Sequence, residues 1–197
     1  MPRLPALKRE DLQEFEPFFT MIEQIMGFVP NSLLIMARQP AMLKAFGDLS
    51  YSLIGADGRV DGGLKQLIAH IASRTAGCQY CMAHTANSAR QSGIDVKKIE
   101  AIWEYETSPL FSEAERAAFV FAQGAASVPN AVSDEDVSNL KKYYDEDQIL
   151  EILGVISLFG FLNRWNDTLA TELEASPLQF SKDHLSQSGW KVGKHHP

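Results

Sequence analysis

The sequence predicts an all-α protein, a single-domain bundle of about eight helices. Three observations predict it. Apolar residues recur at spacings of three and four along most of the chain. Helix-starting residues stand before each apolar run. No segment alternates apolar and polar residues as a half-buried strand would. The length, 197 residues, suits one domain, and a 45% hydrophobic content is enough for a core.

The elements follow in order. Asp11 to Met26 carries Leu12, Phe15, Phe18, Phe19 and Ile22 on one stripe. Pro30-Asn31-Ser32 breaks that helix and can cap a short one. Pro40 opens the next, running to about Ile54. Gly55 to Gly58 reads as a loop. A helix from about Asp61 to Ala76 is stopped by Gly77, and the next ends near Gly93. Asp95 can cap a helix through Trp103. Ser112-Glu113-Ala114-Glu115 is a capping box for a helix to about Ala126. Ser133 and Asp145 are further N-caps, and a last long helix is expected from about Gln148 to Glu174. Its polar run Asn163-Arg164-Trp165-Asn166-Asp167 is expected to form a buried Arg164–Asp167 pair or, alternatively, to line the active-site pocket. The helical domain spans residues 1–175. Residues 176–197 form a tail, too apolar at Trp190 to be ignored, that either folds back on the body or frays.

The chemistry concentrates in Cys78-Gln79-Tyr80-Cys81-Met82-Ala83-His84. These are the only two cysteines in the chain. Three residues apart at the start of a helix, they share a face and can close a disulfide. The unpaired N–H groups and partial positive potential there favour thiolate over thiol. His84, one turn beyond Cys81, can draw a thiol proton. Thioredoxin-type enzymes place a strand before such a pair, whereas here Leu64 to Ala72 reads as a helix.

The net charge of −7 and the absence of a basic cluster argue against nucleic acid and anionic membrane as partners. No apolar run reaches the length of a membrane span, and the start lacks a signal-peptide stretch. A cytoplasmic location is expected, where a C-x-x-C pair is redox-active or metal-binding more often than structural.

The segment Leu64 to Arg90, with Ala72-Ser73-Arg74 and Gly77 to Thr85, resembles the carboxymuconolactone decarboxylase-like superfamily, in particular its alkylhydroperoxidase D-like, peroxidase-related branch. The likeness extends to Phe161 to Asp167 and to the Gly-Trp-x-x-Gly-Lys-His ending of the tail. It implies an alkylhydroperoxidase D-like helical fold, a trimer or hexamer, and a thiol peroxidase or disulfide reductase without a cofactor or metal. It implies that Cys81 attacks a hydroperoxide and Cys78 resolves the sulfenate, with a dithiol protein or small thiol restoring the pair. Cys78 should then be the more accessible sulfur. The family's relay glutamate, twelve residues before the first cysteine, falls on Gln66, which cannot take a proton. The family histidine falls on Thr85, with His84 one position earlier and so rotated by about 100°. His70, one turn after Gln66, is the candidate replacement base. The candidate catalytic residues are therefore Cys78, Cys81, His84, Gln66 and His70. The alternatives are a decarboxylase, as in the superfamily's name, and a non-enzymatic oligomer that senses redox state or holds zinc through Cys78, Cys81, His84 and His70.

Overall fold

The computed structural model describes residues 2–55 and 58–197; Ala56 and Asp57, in the expected Gly55–Gly58 loop, lie outside them. Among the described residues there are ten α-helices and no strand. They are α1 (Glu16–Met26), α2 (Asn31–Met36), α3 (Pro40–Ile54), α4 (Gly62–Thr75), α5 (Gln79–Gln91), α6 (Val96–Glu100), α7 (Glu113–Ala126), α8 (Asp134–Leu140), α9 (Glu146–Leu169) and α10 (Ala175–His184). Eight of the ten have seven residues or more. Among the described residues, no helix is long and apolar enough to cross a membrane.

Most starts follow the cap chemistry. Ser112, Ser133 and Asp145 each close a full capping box, and Asp61 and Asp95 accept backbone N–H bonds. Three elements differ from expectation. The first helix begins at Glu16 because Pro17 lacks an N–H and its ring would clash with a preceding helical turn. Residues 9–11 and 13–15 are 3-10 turns instead. The helix expected through Trp103 divides into α6 and a 3-10 turn at Ile102–Glu104. Finally, α9 stops at Leu169 and not at Glu174. Ala170 takes a left-handed conformation (φ 50°), and the Thr171 N–H closes back on Asn166 O at 3.1 Å. The chain then turns, and Glu174 becomes the N-cap position of α10.

The core forms around α4, which packs against α5, α7 and α9. Ile68, Ile71, Phe119, Leu140 and Ile152 are fully enclosed there. A second, smaller cluster joins Phe19, Met36 and Leu43 of α1 to α3. Lys65 of α4 is buried against Glu151 of α9 in an ion pair. Glu151 also accepts the Arg59 and Val60 N–H groups. A buried cation without that partner would be costly, so the pair fixes the α4–α9 register.

The last 22 residues are docked. α10 packs on α5. Trp190 is buried and its Nε1 donates to Gln79 O at 3.0 Å. Leu173 N–H donates to His195 O at 3.0 Å. Asp167 pairs with Lys194 at 2.7 Å, whereas Arg164 is exposed. The C-terminal segment thus lies against the start of α5.

Candidate active site

Gly77 (φ 77°) reverses the chain after α4, and the Cys78 N–H closes back on Ser73 O at 3.0 Å. Cys78 therefore becomes the N-cap of α5. Its sulfur accepts the Cys81 N–H at 3.4 Å, and both thiols are free. The helix N-terminus is thus spent on the Cys78 sulfur. Cys81 lies one turn inside, where burial, followed by the adjacent Cys78, pushes its thiol well above the usual range. This corrects the expectation of an intrinsically acidic Cys81. The desolvation of its anion outweighs the helix-end potential, so a base is required to ionise it.

A cavity of about 410 Å³ opens onto Cys81. Its walls are mainly apolar, with Phe18, Ile22, Leu33, Phe46 and Leu158 among them. Tyr80, His84, Thr85, Gln66 and Asn166 supply the polar groups. Cys78 is not part of the lining and is fully buried under the C-terminal segment. The expectation that Cys78 is the more accessible sulfur is therefore reversed. Docking of the tail covers it, while Cys81 faces the cavity.

The polar groups form a network around a carboxylate. Glu174 Oε2 accepts from His84 Nε2 at 2.6 Å. Its Oε1 accepts from Asn31 N–H at 2.6 Å and from Tyr80 Oη at 2.9 Å. Burial alone would raise the Glu174 carboxyl, but the facing His84 and the Asn31 N–H hold it below the usual range. The His84 ring stacks on Tyr80, with centroids 4.2 Å apart, and meets Phe28 edge-on. With Nε2 donating to Glu174, a neutral His84 keeps its free lone pair on Nδ1. On the opposite wall, Asn166 Nδ2 donates to Cys81 Sγ at 3.6 Å, which favours the thiolate.

The structure brings Cys81, His84 and Gln66 to one cavity and leaves His70 outside its lining. His70 is buried beneath α5, where its Nδ1 donates to Met82 O at 3.1 Å and lies 3.0 Å from Thr85 Oγ1. Burial lowers its pKa to about 4. This corrects the expectation of His70 as the replacement base, because it is held in the core away from the cavity. The residues considered as zinc ligands do not converge. Among the described residues, the one such group of three is Cys78, Asp167 and His195.

The buried neutral state of His70 has a measurable consequence. Its folded pKa is below the unfolded value of about 6.5, so the unfolded chain binds the extra proton as pH falls. Stability is complete above pH 6.5 and declines from there to about pH 4, by about 2 kcal/mol at pH 5. His195, also lowered by burial, adds to the decline. Urea unfolding at pH 7 and pH 5 checks this. The His70→Gln variant should lose less stability between the two pH values than the unsubstituted protein does, and an equal loss would contradict the assignment.

Glu174 and His195 are not among the sequence candidates, whereas Asn166 belongs to the polar run for which pocket lining is the alternative expectation. Glu174 is 90 residues from His84 and reads as the end of a helix. The signal for Asn166 is the polar run itself, in which Asn163 and Asn166, one turn apart, are both buried.

Fold and site define an all-helical protein with a reduced cysteine pair, one sulfur of which faces a mainly apolar cavity beside a Glu–His–Tyr network. The chain belongs to the carboxymuconolactone decarboxylase-like superfamily. The profile of the Carboxymuconolactone decarboxylase family matches residues 40–124, which include both cysteines but not Asn166, Glu174 or His195. A solved structure of the debrominase Bmp8 is 37% identical, covering 91% of this chain and 96% of that one at a TM-score of 0.85. A cysteine-to-alanine variant of Bmp8, solved in complex with 2,3,4-tribromopyrrole, is 36% identical with the same TM-score. An uncharacterized peroxidase-related protein from Ralstonia eutropha JMP134 with the alkylhydroperoxidase AhpD core covers all of this chain at a TM-score of 0.79. At 18% identity it establishes the fold alone. The uncharacterized protein YnjA of Escherichia coli (strain K12) is 27% identical over 92 residues, and the match spans half of its length.

Proposed function

We propose that the protein is a thiol-dependent reductase of small apolar organic hydroperoxides, with Cys81 as the attacking sulfur. The observation that carries this reading is the cavity. It leads to Cys81 alone of the two thiols, and its walls suit an organic molecule better than hydrogen peroxide. His84 Nδ1 takes the Cys81 proton, with Glu174 fixing the ring, and Asn166 Nδ2 stabilises the thiolate. The thiolate attacks the distal peroxide oxygen, the O–O bond breaks, and the departing alkoxide takes the proton from His84. Cys81 is left as a sulfenic acid. Cys78 then attacks Cys81 sulfur, hydroxide leaves, and a disulfide forms. An external dithiol returns the two electrons by attacking Cys81 through the cavity, with Cys78 as the leaving thiolate.

Such chemistry suits a reducing cytoplasm. Exposed Leu49 and Tyr51 on α3, and Leu150 and Leu153 on α9, support a homo-oligomer, for which the family resemblance implies a trimer or hexamer. Gln66 serves as a polar wall of the cavity with no proton to exchange.

A second reading is reductive dehalogenation. It is favoured by the likeness to Bmp8, which spans 91% of this chain. Here the thiolate would take a halogen from carbon, the ring carbon would gain a proton, and Cys78 would displace halide from Cys81 with the same two electrons. The assay that separates them supplies dithiothreitol with cumene hydroperoxide, hydrogen peroxide or a polybrominated pyrrole. The first reading predicts that kcat/KM for cumene hydroperoxide exceeds that for hydrogen peroxide by at least about tenfold, from burial of the organic group. Bromide release without peroxide turnover would replace it with the second.

A further inference from the structure

A second cluster lies beside Cys78, and its His195 ring is 5.8 Å from the Tyr80 ring on which His84 stacks. Cys78 Sγ, a carboxylate oxygen of Asp167 and a ring nitrogen of His195 lie within 4.8 Å of one another. The His195 ring is fully enclosed. Its Nδ1 lies 2.7 Å from Thr171 O, and a carbonyl can only accept, so the proton of the neutral ring is on Nδ1. Nε2 therefore carries a lone pair. It is buried without a hydrogen-bond partner, and Asp167 Oδ1 is 3.6 Å away. A buried nitrogen lone pair left unmatched is costly unless something uses it. The group beside it with a proton to give is the Cys78 thiol.

We propose that His195 is the base for Cys78, so that each thiol of the pair has its own histidine: His84 for Cys81 and His195 for Cys78. The inference rests on the reading of the two cysteines as a reductive pair. In the second half-reaction, the Cys78 proton moves to His195 Nε2 and the Cys78 sulfur attacks Cys81 sulfur. The S–S bond forms and the S–O bond of the sulfenic acid breaks. The hydroxide released and the proton given up make one water. Asp167 Oδ1 steadies the imidazolium, while its other oxygen is paired with Lys194 at 2.7 Å. Burial holds the free His195 imidazole neutral, ready to accept. The same geometry explains why the C-terminal segment is pinned at Trp190 and Leu173, since it delivers this ring to a sulfur it also covers. A zinc site is the weaker account, because the cluster has three donors and Lys194 already holds Asp167.

The test is His195→Asn, whose amide N–H can keep the bond to Thr171 O while supplying no base. Reduced protein is mixed with one equivalent of cumene hydroperoxide and quenched over time, with dimedone to trap the sulfenic acid on Cys81. The unsubstituted protein should close its disulfide with little trapped sulfenate. The variant should still consume peroxide, accumulate trapped sulfenate and close the disulfide at least about tenfold more slowly at pH 7. Its closing rate should climb steeply from pH 6 to 8, while that of the unsubstituted protein stays nearly flat. The groups facing the pair that bear on this profile are Asp167, Lys194, Tyr80 and Cys81. Diamide, which oxidises dithiols through an adduct on one sulfur, gives the same comparison without peroxide. If peroxide is not consumed but diamide closure is slowed in the variant, the hydroperoxide reading fails and the role of His195 stands. Closure within twofold of the unsubstituted rate with diamide would overturn the proposal. So would tightly bound stoichiometric zinc in the reduced protein that is lost in the variant.

Discussion

Replacing Cys81 by serine should abolish catalytic turnover, lowering kcat/KM by about 10³-fold or more. A serine hydroxyl is not ionised near neutral pH, and no arrangement of His84 and Asn166 gives it the nucleophilicity of sulfur toward an O–O bond. Cys78→Ser should behave differently. The cavity and the Cys81–His84–Glu174 arrangement remain, so the first oxidation proceeds. Without a resolving thiol the sulfenic acid persists, and excess peroxide carries it to the sulfinic acid. Without added thiol, each polypeptide then consumes one equivalent of peroxide at first and does not recycle. Steady-state assays with dithiothreitol check Cys81→Ser, and peroxide consumption without added thiol, combined with intact mass, checks Cys78→Ser. Full turnover by Cys81→Ser would remove this cysteine from the mechanism.

Glu174→Gln should lower kcat/KM by about 10²-fold or more with little change in KM. The glutamine carbonyl can keep the Asn31 N–H and Tyr80 bonds at Oε1, but its amide then presents N–H to His84 Nε2. To avoid two facing donors, the imidazole proton moves to Nδ1, and the lone pair intended for the Cys81 proton is lost. The same substitution removes charge-assisted bonds from a largely buried site, at a cost of about 1–3 kcal/mol. The Glu174 carboxyl is held below its usual value, so this stability is present above about pH 4.5 and is lost as pH falls through the folded value. Kinetics at saturating and limiting substrate, with urea unfolding at pH 7, separate the two effects. An equal fall in stability without a fall in kcat would assign Glu174 to the fold alone.

The contrast between these residues shows what the chain reveals locally. Helix starts at Ser112, Ser133 and Asp145 were legible because a cap and its partner are three residues apart. The pair Cys78 and Cys81 was legible for the same reason, as was the Gly77 stop that places it. His84 and Gln66 share the cavity with Cys81 because they lie one turn or one helix away. Glu174 and His195 reach the site through tertiary docking across about 90 or more residues, and no local periodicity encodes which polar group meets which sulfur. The left-handed Ala170 made the difference at Glu174. A non-glycine residue in that conformation is not signalled by its type, so the expected helix ran on through the turn that creates the site. His70 was misjudged as a base because helix spacing gives the face but not the burial, and burial fixes it as a neutral hydrogen-bond donor.

In the proposed reaction, Cys81 takes an oxidising equivalent from an organic substrate and passes it to Cys78. The most direct measurement adds one equivalent of cumene hydroperoxide to the reduced protein and follows free thiols and intact mass. Both thiols should be lost, with a mass lower by about 2 Da and a Cys78–Cys81 link in peptide mapping. Two thiols that remain free while the peroxide persists would contradict the proposed reaction.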